Sequence, residues 1–96
     1  METHNREEMI GKIYRQQAEF RKALSFIDAE LSDAAANFKK AATQIECLIA
    51  HQPADVGPAL SKINTDRILK ILAERERLQR RLGDASEQLK RLGVRP

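Results

Sequence analysis

Cys47 and His51 are the residues whose type and spacing come closest to a metal site. At i and i+4 on a helix they share one side, so both could face a single ion. Zinc needs three or four such ligands. The chain has one cysteine and two histidines, and the other histidine, His4, stands at the opposite end of the sequence. The ordinary reading is a small thiol on a helix and a histidine whose charge suits a helix C-terminus. No metal and no cofactor are expected. Ser25, Ser32, Ser61 and Ser86 have no histidine near them in sequence to act as a base. No Glu-x-x-His pair of the di-iron kind occurs. Gly11, Gly57, Gly83 and Gly93 are isolated and form no phosphate loop. An enzyme is not expected.

A second chemistry is charge. Residues 1–52 carry seven Lys/Arg against eight Asp/Glu, and residues 53–96 carry ten against six. The second half therefore holds the excess behind the net charge of +3. Lys70, Arg77 and Arg91 fall at one heptad position, with Arg80, Arg81 and Lys90 close by. Such a face could contact phosphates, which makes a nucleic-acid-binding accessory or regulatory protein the alternative function. Against it, acids stand four residues before several of these bases: Asp66–Lys70, Glu76–Arg80 and Glu87–Arg91. That is the pattern of a solvated, self-paired helix face. No aromatic residue in this half offers a stacking platform.

The elements that would position these groups follow from one stripe. Ile10, Ile13, Gln17, Phe20, Leu24, Ile27, Leu31, Ala34, Phe38, Ala41, Ile45 and Leu48 recur at spacings of three and four. Only Gln17 among them is polar, and no proline interrupts residues 1–52. This is a heptad seam on one helix, predicted over residues 5–52 with Asn5 as N-cap and Glu8 reaching back. Tyr14, Ala35, Ala42 and Ile49 widen the apolar face beyond a two-stranded seam.

Residues 53–58, Pro-Ala-Asp-Val-Gly-Pro, break the helix. A second helix is predicted over 59–92, with a further possible start at Asn64 or Thr65 before Asp66. Its stripe is Ile68, Ile71, Arg75, Leu78, Leu82, Ala85, Leu89 and Leu92. The stripe keeps phase across Gly83, so one helix is expected there. Gly93 reads as the residue just past its end, and residues 93–96 as a short tail. Arg75 in the seam could lie on the ring of Phe38, or run its stem along the seam and put its charge in water.

The expected fold is all-α: one domain, residues 1–96, built as an antiparallel two-helix hairpin resembling a coiled coil. Folding at the loop pairs residues whose numbers sum to about 113, so Ile45 meets Ile68 and Ile27 meets Ala85. In that register the long helix overhangs by roughly 15 residues, or about 20 Å. Met9, Ile10, Ile13 and Tyr14 would then need cover, and with Phe20, Leu69 and Leu72 they are the expected self-association residues. Phe26, off the seam, marks a possible partner surface.

A homodimeric four-helix bundle follows, working by protein–protein contact as an adaptor, assembly factor or inhibitor. Its partners would be a second copy and another protein. The single cysteine, the acidic start without a signal-peptide pattern and the lack of any long apolar run predict a cytoplasmic protein off the membrane.

Overall fold

The computed structural model describes residues 2–94, with side chains from residue 5 onward. The His4 side chain and Pro96 lie outside the described residues. Every element among them is a helix: α1 over Glu2–Ile49, α2 over Gly57–Ser61 and α3 over Thr65–Arg91. The chain divides into two compact units. One joins Met1–Phe26 to Ala73–Pro96, and the other is Ile27–Leu72.

The helix ends differ from the sequence prediction. Asn5 lies inside α1 rather than capping it. At the other end α1 stops at Ile49, not at residue 52. Pro53 disfavours a helical conformation at Gln52, so the chain must leave the helix before it. It does so through a left-handed residue, His51, at φ 59°. The Gln52 amide donates to the Cys47 carbonyl at 2.9 Å and the His51 amide to that of Leu48 at 3.1 Å. This is a Schellman cap with a histidine where glycine is usual.

The predicted helix over 59–92 is two helices. α2 is five residues opened by Gly57-Pro58. The Ser61 hydroxyl donates to the Pro58 carbonyl at 2.9 Å. Asn64 then starts α3: its side chain accepts from the Arg67 amide at 3.0 Å, and its carbonyl accepts from the Ile68 amide at 3.0 Å. Gly83 does not interrupt α3. α3 ends at Gly93, φ 82°, through a second Schellman cap: Val94 donates to Leu89 at 2.9 Å and Gly93 to Lys90 at 3.0 Å.

In the unit of Met1–Phe26 and Ala73–Pro96, α1 and α3 pack antiparallel. Ile13, Ala85 and Leu89 form the buried cluster, with Ile10, Leu92 and Val94 against it. Gln17, also buried, donates from Nε2 to the Ser86 hydroxyl at 3.3 Å. Arg6 lays its guanidinium on the Leu92 carbonyl, with Nε at 2.8 Å and Nη2 on the same oxygen. A cation there answers the negative end of the α3 dipole. These pairs sum to about 100, not 113, a slide of nearly two heptads. The expected overhang therefore does not exist. Ile10 and Ile13 are covered by the last turn of α3 and the residues after it, which removes the reason for assigning them to self-association.

In Ile27–Leu72, α1 continues beside the connector, α2 and the start of α3. Arg67 forks onto Glu30, Nε to Oε2 at 3.0 Å and Nη2 to Oε1 at 2.8 Å. The Asp55 amide donates to Gln44 Oε1 at 3.1 Å. Together these contacts show the connector running back along the last turns of α1. That retracing segment is the physical cause of the slide: α3 begins level with Glu30 rather than with the end of α1. Ile27, Ala41 and Ile71 are buried in this unit.

Candidate functional site

Burial follows the predicted stripes through the first unit and departs from them in the second. Every buried residue among those described, Ile13, Gln17, Ile27, Ala41, Ile71, Leu78, Ala85 and Leu89, lies on a predicted seam position. Beyond Ala34, however, the covered line on α1 passes through Asn37, Ala41, Gln44 and Cys47. It leaves Phe38, Ile45 and Leu48 about half exposed, and Ile49 at 73%. α3 starts level with Glu30, so these later residues of α1 have only the connector beside them, and its contact at Gln44 covers one side of the line. Leu60 on α2 and Leu69 and Leu72 on α3 are also exposed. All seven belong to Ile27–Leu72, which makes this unit the richest in uncovered apolar surface. Seam reasoning missed Phe38, Ile45, Leu48 and Ile49 as a surface, although Ile49 at the adjoining heptad position was the available signal.

The residues assigned to self-association are thus separated by the structure. Leu69 and Leu72 are exposed; Met9 and Tyr14 are about half exposed on the first turns of α1; Phe20 is half-buried; Ile10 and Ile13 are covered. Met9 and Lys12 line a shallow groove of about 430 Å³ with Gln88 and Arg91. Tyr14 and Arg21 line another with Lys90 and Val94. Phe26 is 65% exposed.

Three of the six cations placed on a possible phosphate face have other engagements. Arg77 pairs with Glu74 and Arg80 with Glu76. Arg81 stands over the Phe20 ring, 5.9 Å from its centroid; the cation–π contact forms there, where sequence reasoning considered Arg75 on Phe38. Lys90 and Arg91 lie in the last turn of α3, where cations suit the helix dipole. Lys70 is exposed. Among the ionisable groups, the Arg67 hydrogen bond holds the Glu30 carboxyl below the usual carboxylate range. The Arg77 hydrogen bond does the same to Glu74.

Cys47 is half-buried and His51 is exposed in its left-handed turn. Among the described residues no three His, Cys, Asp or Glu side chains gather as metal ligands would. No helix among them is long and apolar enough to cross a membrane. No family model matches the chain, and no curated protein or solved structure is significantly similar to it.

Proposed function

We propose that the chain is a non-enzymatic helical-hairpin protein that works by self-association and protein–protein contact in a reducing compartment, the cytoplasm, as an adaptor, assembly factor or inhibitor. The observation that carries this reading is surface. The accessible area is 7567 Å² for 10.9 kDa. A folded monomer of that mass exposes about 5,600 Å². The excess, roughly 2,000 Å², is more than one partner's share of a standard interface, about 800 Å². Ten large hydrophobic side chains lie in the exposed portion. No described side chain is fully buried, so the helix pair lacks the dry core that a small domain needs to stand alone.

The basic face supports nucleic-acid binding less well. Arg77 and Arg80 are committed to glutamates and Arg81 to a ring. The test is light scattering at micromolar concentration, followed by affinity capture with and without nuclease. A dimer mass and nuclease-insensitive capture are expected. A monomer mass together with nuclease-sensitive capture overturns the reading in favour of the nucleic-acid alternative.

A further inference from the structure

We infer that the uncovered side of Ile27–Leu72 is a homodimer interface, made by α1 packing antiparallel on α1 of a second copy with Ala42 on the two-fold axis. This rests on the self-association proposed above and names its face and register.

The side is fixed by helix geometry. Glu30 and Arg67 close one flank of the α1–α3 pair. At about 100° per residue Ile45 returns to the direction of Ile27, and Phe38, Ile49 and Ala42 stand roughly 20°, 40° and 60° from it towards the flank away from Glu30, exposed beyond the start of α3. The same construction brings Leu69 and Leu72 to that flank.

The occupant follows from self-complementarity. A two-fold interface pairs a surface with itself, so each residue must suit its own mirror position. Centring on Ala42 opposes Ala35 to the partner's Ile49 and brings Phe38 within one residue, about 1.5 Å along the axis, of the partner's Ile45. Ala42 meets its own copy, and a small residue there lets the two backbones approach. Lys39 and Glu46 flank the stripe on one edge, and the same register brings each within one residue of the other across the axis. Large side chains meet large or small ones, and Lys39 meets an acid. Phe38, Ile45 and Ile49 are each about half or more exposed. At roughly 100 Å² apiece they supply about 300 Å² of apolar surface per partner, with Ala35, Lys39, Ala42 and Glu46 around them.

The test uses the whole chain. In a Cys47→Ser background, Ala42→Cys should form an intermolecular disulfide on mild oxidation, since a residue on the axis meets its own copy within disulfide reach. Ala36→Cys, turned away from the stripe, should not. Lys39→Glu and Glu46→Lys should each weaken dimerisation by about tenfold, because two symmetry-related pairs become repulsive. The double exchange should restore it, and an equimolar mixture of the two single variants should form the heterodimer. Both positions are exposed, so helicity should match the wild type at protein concentrations where each variant is still dimeric. A dimer that neither cross-links at Ala42 nor responds to the charge exchange overturns this interface and leaves the self-association reading standing. A monomer at micromolar concentration, including one that captures a different protein, overturns both.

Discussion

His51 and Gly93 hold the same left-handed position at the ends of α1 and α3, and only one of them is suited to it. For a residue with a Cβ that conformation costs roughly 1–2 kcal/mol. His51→Gly should therefore stabilise the fold by about 1 kcal/mol, read as a shift in urea midpoint at unchanged slope. Gly93→Ala should do the opposite. A Cβ there would also stand 3.0 Å from Arg6 Nη2, inside the group that clamps the Leu92 carbonyl. Gly83 is the control within a helix. Nothing lies within 4 Å of a Cβ built on it, so Gly83→Ala should gain about 0.5–1 kcal/mol from helix propensity alone. Loss of stability in Gly83→Ala would mean that the glycine serves a contact formed only in an assembly.

At the scale of elements the two seams were legible and their alignment was not. A heptad stripe on each helix identifies which residues are buried, and all eight buried residues among those described lie on those stripes. Sliding one stripe by whole heptads keeps a and d positions facing, so apolar pattern cannot choose between sums of about 100 and 113. Two features choose. The connector uses residues 50–64 to retrace α1, and its only forecast was the second possible helix start at Asn64. Gln17 finds Ser86 in the observed register and would reach the end of the chain in the other. A cycle over this pair tests the second feature. Ser86→Ala should cost about 0.5–1 kcal/mol by leaving the buried Gln17 amide short of a partner, and adding Gln17→Leu should recover it. Additive effects would show that the pair does not set register. Glu30–Arg67 reports the same alignment through pH. Its lowered carboxyl means that the pair stabilises the fold above the unfolded-state pKa and that this contribution fades as pH falls below about 4. The Glu30 carboxylate signal in NMR should titrate below ordinary glutamates, and Arg67→Gln should return it to them.

For the whole molecule the question is whether folding and association are separate events. On the proposed self-association, the excess of surface and the lack of any fully buried side chain among those described would make much of the stability depend on what a second copy covers. Stability should then depend on concentration. For a dimer folding with association, a hundredfold rise in protein adds about 2.7 kcal/mol per dimer, which moves the melting temperature by roughly 5–10 °C at this size. A melt followed by circular dichroism from about 1 to 100 μM would read that shift directly. Replacing Ile45 and Ile49 by Ser removes apolar area from the exposed flank without touching a buried residue. In a free-standing monomer such a change has little effect on stability. In the dimer it should lower the midpoint and abolish its concentration dependence together, leaving a partly helical chain. If the double variant melts at the wild-type temperature, and that temperature is the same at both concentrations, the two α1 helices fold without each other and the exposed flank stabilises nothing.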